Sequence, residues 1–102
     1  MGIRTLHLVT IVCGVSVEPR LLRDLKRLGV TGYTRSLARG EGRLSIPDEW
    51  EGNNARIEAL VSLEVAELVL ARLEESYLPH HPIVAWAHEV RALIAEGHVE
   101  TP

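Results

Sequence analysis

The chain of 102 residues is poor in aromatic side chains: it has no phenylalanine, two tyrosines and two tryptophans. Proteins that bind RNA or single-stranded DNA usually stack bases on aromatic side chains. This scarcity and a net charge of −3 argue against a nucleic-acid partner. The core is expected to consist of Leu, Val, Ile and Ala, which fits the apolar content of 46%.

Cysteine is also scarce, because Cys13 is the only one. A single thiol excludes an internal disulfide and a metal site built from cysteines alone. Cys13 lies in an apolar run, which predicts a buried and unreactive thiol. No apolar stretch approaches the roughly 20 residues of a spanning helix, and residues 1–4 do not begin a signal peptide. We therefore expect a cytoplasmic protein that does not insert into a membrane.

The length and the apolar pattern predict one domain over residues 1–102. The predicted strands are 5–13, 32–39, 55–62 and 83–93. One predicted helix is capped by Ser16 and runs through Leu28, where Gly29 stops it. A second follows Ser62 as its cap, and its expected apolar face consists of Leu63, Ala66, Leu70, Leu73 and Tyr77.

This order predicts an α+β, ferredoxin-like βαββαβ fold, with a four-stranded antiparallel sheet and two helices on one face. Two helices cover only one face of such a sheet. The other face must meet water, a ligand or a second copy of the chain, so an oligomer is expected. A long polar connection at about 41–54 and a loose tail at about 95–102 complete the prediction.

The segment 32–43 combines a β-type run with three glycines and three arginines. Glycine lets the backbone approach a ligand, and arginine pairs with phosphate or carboxylate. The segment therefore suits an anion site, although many glycine- and arginine-rich hairpins only turn the chain. Cations are concentrated in residues 18–43 and acids in residues 48–75, an asymmetry that could steer an anion.

This segment resembles the start of the T-loop in PII signalling proteins, where a threonine and a serine precede a basic-Gly-x-Gly-Arg run. Gly32-Tyr33-Thr34 resembles the start of the same region in PII-like proteins linked to bicarbonate transport and carboxysomes. Asn54 to Ala59 is similar to the family's third strand. The resemblance implies a homotrimer that binds adenine nucleotides between subunits and signals through a mobile loop. It implies a regulatory protein and not an enzyme.

Carried over to this chain, the resemblance implies a set of nucleotide-binding residues: Gly32, Tyr33, Thr34, Arg39, Gly40, Glu41, Gly42, Arg43, Glu58 and Arg91. Further candidates for bicarbonate, loop or partner contacts are Trp50, Asn53, Asn54 and Arg56. A bicarbonate transporter or a carboxysome-related protein is the implied partner. No metal-binding residues are predicted, since adjacent His80 and His81 point apart on an extended chain.

The chain departs from typical PII proteins at three places. Leu44 stands where a glutamine helps to hold 2-oxoglutarate. The glycine-rich phosphate loop before the last strand is replaced by the segment 78–82, and only Arg91 is left of the paired arginines. Glu41 adds negative charge beside the expected phosphate site, so ADP or AMP is favoured over the more highly charged ATP unless Mg²⁺ bridges the carboxylate and the phosphates. Cyclic AMP is a further candidate ligand.

Two other functions are compatible with the same fold. One is a CutA-like trimeric structural or metal-tolerance protein without nucleotide. The other is a small hydrolase of the acylphosphatase type, which would need an arginine and an asparagine that orient a water. No such motif is evident in the sequence, and the acids around Trp50 have no neighbouring nucleophile.

Overall fold

The computed structural model describes residues 2–38 and 54–95. Its elements are β1 (Ile3–Gly14), α1 (Glu18–Arg27), β2 (Thr34–Ala38), β3 (Asn54–Val61), α2 (Leu63–Arg72) and β4 (Val84–Leu93). A π-helical turn, Leu73–Tyr77, extends α2. The element order is the predicted one, and the ferredoxin-like fold is confirmed.

The sheet has the strand order β2-β3-β1-β4, with every neighbouring pair antiparallel. β1 and β3 are central and carry most of the buried strand residues, whereas β2 and β4 form the edges and have no fully buried residue. The register places Thr34, Glu58, Thr10 and Trp86 side by side in one row across all four strands. This row lies on the sheet face that the helices leave open, since side chains alternate along each strand.

The core lies between the sheet and the two helices. Cys13 and Tyr77 are fully buried in it, which confirms the predicted burial of the thiol. Along β3 the side chains alternate as predicted, with Ile57 buried and its neighbours Arg56 and Glu58 on the open face. Other buried members of the core are Val9, Ile11, Val17, Leu21, Leu25, Val30, Ala55, Ala59, Val61, Val65, Ala66, Val69, Leu73 and Ile83.

The start of α1 differs from the prediction. Ser16 was expected to cap the helix, but Val17 occupies the cap position and no side chain caps it. The amide of Val17 instead bonds to the carbonyl of Gly14 at 3.0 Å, so a backbone turn leads into the helix. At the other end Gly29 adopts a φ of 108°, a conformation that favours glycine, and it stops the helix as predicted.

The second helix begins as predicted, because the Ser62 hydroxyl accepts a hydrogen bond from the Val65 amide at 3.2 Å. Leu63, expected on the buried face, is instead 49% exposed. The other residues of the predicted face do contact the core: Ala66, Leu73 and Tyr77 are buried, and Leu70 packs against them. No helix in the described ranges is both long and apolar enough to cross a membrane.

Candidate functional site

A cavity of about 870 Å³ lies where the open sheet face meets the segment before β2. We call it the sheet-face cavity. Its lining consists of Leu8, Thr31, Gly32, Tyr33, Thr34, Glu58, Ala59, Leu60, Leu93, Ile94 and Ala95. Four residues predicted from the sequence to bind nucleotide are thus brought together: Gly32, Tyr33, Thr34 and Glu58.

The strand register explains why these four residues meet. Thr34 begins β2 and lies opposite Glu58 of β3. Gly32 and Tyr33 were expected inside the strand but lie just before it, where their backbone takes no part in the ladder. Apart from its chain neighbours, no atom lies within 4 Å of the position that a Cβ on Gly32 would occupy, so the space beside this residue is open to a ligand. Backbone polar groups next to an open space can bind a ligand directly.

Glu58 is the charged group of the cavity. Its Oε2 accepts hydrogen bonds from Thr10 Oγ1 at 3.4 Å and from Arg56 Nη2 at 3.5 Å. The Arg56 guanidinium also lies 5.9 Å above the Trp86 ring, a cation–π distance. Arg56 itself does not line the cavity. Along the described lining the only formal charge is therefore negative, which suits hydroxyl and amino donors better than phosphate.

An ion pair fixes the strand that carries Thr34. The guanidinium of Arg35 donates to both carboxylate oxygens of Glu18, through Nε and through Nη2 at 2.8 Å. Glu18 is buried at the start of α1, and this bidentate bond raises the pKa of Arg35 above its usual value. The pair ties edge strand β2 to the helical layer and holds the adjacent cavity wall in place.

Other predicted residues lie elsewhere. Arg91 is exposed, faces Thr5 of β1 and does not line the sheet-face cavity. Asn54 is buried between Gly14 and Ala38, and its Oδ1 has no hydrogen-bond partner within the described part of the chain. The roles of both residues stay predictions. Outside the described residues lie Arg39, Gly40, Glu41, Gly42, Arg43, Trp50 and Asn53.

Sequence reasoning missed the apolar part of the cavity. Leu8 and Leu60 are opposite each other in the register and supply its floor, while Leu93 and Ile94 close one end. Alternation along β3 pointed to Leu60, but nothing local in the sequence places the end of β4 there. Among the residues of the described ranges, no cluster of His, Cys, Asp and Glu could hold a metal ion.

Comparison with known proteins defines the class. The model of the family "Nitrogen regulatory protein P-II" matches residues 6–94. The chain therefore belongs to the P-II family. A PII-like signalling protein of Thermus thermophilus is 45% identical, with a TM-score of 0.78, and the match covers 91% of this chain and 94% of that one.

Two more distant structures share the fold. CPII of Thiomonas intermedia K12, bound to ADP, AMP and bicarbonate, is 21% identical with a TM-score of 0.75, covering 88% of this chain and 94% of that one. GlnK of B. subtilis, in complex with ATP, is 21% identical with a TM-score of 0.59, covering 84% and 82%. A search of curated proteins gave no match.

Proposed function

We propose that this chain is a PII-like regulatory protein that binds an adenine nucleotide in the sheet-face cavity. One observation carries the proposal: four residues singled out in the sequence, Gly32, Tyr33, Thr34 and Glu58, line one cavity. The cavity volume lies within the range of about 300–1,000 Å³ typical of ligand pockets. Membership of the P-II family and the nucleotides bound by CPII and GlnK support the same assignment.

The charges suggest how the nucleotide lies. The Glu58 carboxylate accepts hydrogen bonds and repels phosphate, so the sugar or base belongs next to it. Leu8 and Leu60 offer an apolar surface to the flat base. The phosphates would extend toward the predicted phosphate-binding segment 40–43. With a carboxylate in the cavity and another at Glu41, we favour ADP or AMP over ATP.

The open sheet face supports a trimer. Trp86 is 41% exposed on this face, beside the Arg56–Glu58 pair, and no helix of the described ranges covers it. A homotrimer would bury this face and place each sheet-face cavity next to a second subunit. Bicarbonate as a second ligand is suggested by CPII. For this chain we propose a signalling role in the cytoplasm, with a bicarbonate transporter or a carboxysome-related protein as its partner.

Nucleotide titration with a matched pair of variants tests the site. Thr34→Ala removes a hydroxyl from the cavity, whereas Ser36→Ala removes one two residues along the same exposed strand and face, outside the cavity lining. We expect calorimetry to show ADP or AMP binding to the wild type, weakened about tenfold by Thr34→Ala and unchanged by Ser36→Ala. Arg43→Ala should also weaken binding by removing a phosphate contact.

Equal affinities for wild type, Thr34→Ala and Arg43→Ala would rule out the assigned site. Thermal unfolding with ATP, ADP, AMP and cyclic AMP, each with and without Mg²⁺ and bicarbonate, identifies the ligand. A melting temperature that no nucleotide raises, but that divalent cations do, would favour the CutA-like alternative.

A further inference from the structure

The outer surface of α1 carries charge of one sign only. Both acids of the helix are buried: Glu18 is 6% exposed and Asp24 is 7% exposed. The exposed ionic residues are all cations, namely Arg20, Arg23, Lys26 and Arg27. This separation concentrates positive charge on one helix of a chain whose net charge is negative.

The four cations divide into two pairs. Arg20 stacks on the Tyr77 ring at 4.8 Å, and Arg27 lies 3.5 Å from Asp24, so both have partners within the helical layer. No ion pair engages Arg23 or Lys26 within residues 2–38 and 54–95. The second pair is therefore available to an external anionic group.

Arg23 and Lys26 stand at the rim of a groove of about 640 Å³. We call it the α1 groove. Its apolar lining comes from Leu22, Leu25 and Val30, and its far wall from Thr31 and Tyr33. An apolar floor bordered by two cations and a half-exposed tyrosine fits a segment that carries both acidic and apolar side chains.

We propose that the α1 groove is a docking surface for an acidic, apolar peptide segment of a partner protein. Two other anionic partners fit less well. The phosphates of a nucleic acid would be repelled by acids that are exposed on the same helical layer, in α2 and in the π-helical turn that extends it: Glu64, Glu67, Glu74 and Glu75. A membrane surface is flat and would leave the groove unfilled. A peptide fills the groove and places its carboxylates on the rim.

The α1 groove shares a wall with the sheet-face cavity, because Thr31 and Tyr33 line both. A nucleotide that fixes these two residues would therefore alter the groove on their other side. This coupling, which rests on the proposed function, would give the protein a docking surface that responds to its ligand.

Selection from a random library of 12-residue peptides displayed on phage tests the docking surface. Peptides that bind the wild type better than Arg23→Gln/Lys26→Gln are expected to combine Asp or Glu with Leu, Ile or Phe. The matched control, Arg20→Gln/Arg27→Gln, removes the same charge from the same helix outside the groove. By fluorescence anisotropy, the selected peptide should lose about tenfold in affinity for the groove variant and less than about twofold for the control.

Several outcomes would overturn the proposal. One is a selection that enriches no peptide on the wild type over the groove variant. Another is an equal loss of affinity in both double variants, which would indicate a general charge effect. A third is binding to phosphatidylserine vesicles or to single-stranded DNA that requires Arg23 and Lys26 while no peptide binds. Circular dichroism of both variants excludes unfolding as the cause of a loss.

Saturating ADP tests the coupling separately. We expect it to change the affinity for the selected peptide at least about twofold in the wild type and not in Thr34→Ala. If ADP binds but leaves peptide affinity unchanged, the coupling is wrong. If ADP does not bind at all, the proposed nucleotide function fails, whereas the docking surface is decided by the two helix variants alone.

Discussion

At the residue scale, Asp24 shows how one buried carboxylate joins the two helices. Tyr77 Oη donates a hydrogen bond to its Oδ2 at 2.6 Å, and Arg27 and Arg72 approach it at 3.5 Å and 3.6 Å. We expect Tyr77→Phe to lower the free energy of unfolding by about 1–3 kcal/mol, because a buried carboxylate loses a short hydrogen bond from a buried hydroxyl. Urea unfolding measures this. Tyr33→Phe, at a half-exposed tyrosine, is the matched control and should change stability by less than about 0.5 kcal/mol.

Cys13 yields a second prediction at this scale. Burial raises its pKa from 9.0 to about 11, and the nearby Glu18 carboxylate contributes. The native thiol should therefore react with Ellman's reagent at pH 8 only as fast as the protein opens, and at once in denaturant. Rapid labelling of the native protein would contradict the burial.

The same shift predicts a pH dependence. Because the folded pKa lies above the unfolded one, the contribution to stability is complete below about pH 9 and is lost as the pH rises through 11. Urea unfolding from pH 8 to pH 11 should show stability falling in this window. This loss of stability should be smaller in Cys13→Ala. Identical curves for both proteins would show that other groups cause the loss, such as Tyr77, whose pKa is raised to about 12.

At the element scale, the Glu18–Arg35 pair decides how firmly β2 is held. β2 has five residues, pairs only with β3 in the described sheet and is exposed along most of its length, so few apolar contacts fix it. Arg35→Gln leaves the Glu18 carboxylate buried without its partner, which is worse than removing both charges. We expect faster amide hydrogen exchange in β2 of Arg35→Gln than in Glu18→Gln/Arg35→Gln. The reverse order would show that the pair does not anchor the strand.

The elements also show what local sequence can and cannot predict. Alternation in β3 and the cap at Ser62 are predictable because each depends on neighbouring residues. The start of α1 is not, because a backbone turn from Gly14, and not a side chain, caps it. The exposure of Leu63 escapes prediction because the buried face of α2 is centred on Val65, Ala66 and Val69, and Leu63, at the start of the helix, lies to one side of that face.

At the scale of the whole molecule, four of the eleven residues that line the sheet-face cavity were predicted as site residues. Gly32, Tyr33 and Thr34 form a local motif, so the sequence alone could single them out. The apolar walls from Leu8 and Leu93 arise from the register of three strands, which no local pattern specifies. The α1 groove is lined by one continuous stretch, residues 22–33, but its shape depends on how the chain turns back along α1 after Gly29, which the side-chain pattern does not specify.

The open sheet face supplies the last prediction, which concerns assembly. If a trimer buries this face, an unpaired charge placed on it must be desolvated, which costs about 2 kcal/mol or more. Trp86→Glu introduces such a charge two strands from Glu58 in the same row of the register, and the nearby Arg56 is already paired with Glu58. We expect sedimentation equilibrium to show a trimer for the wild type and a smaller species for Trp86→Glu. Leu68→Glu is the matched control, because Leu68 is 52% exposed on the helical side and its replacement should leave the trimer intact. Dissociation of both variants, or of neither, would show that the open face is not the surface that holds the subunits together.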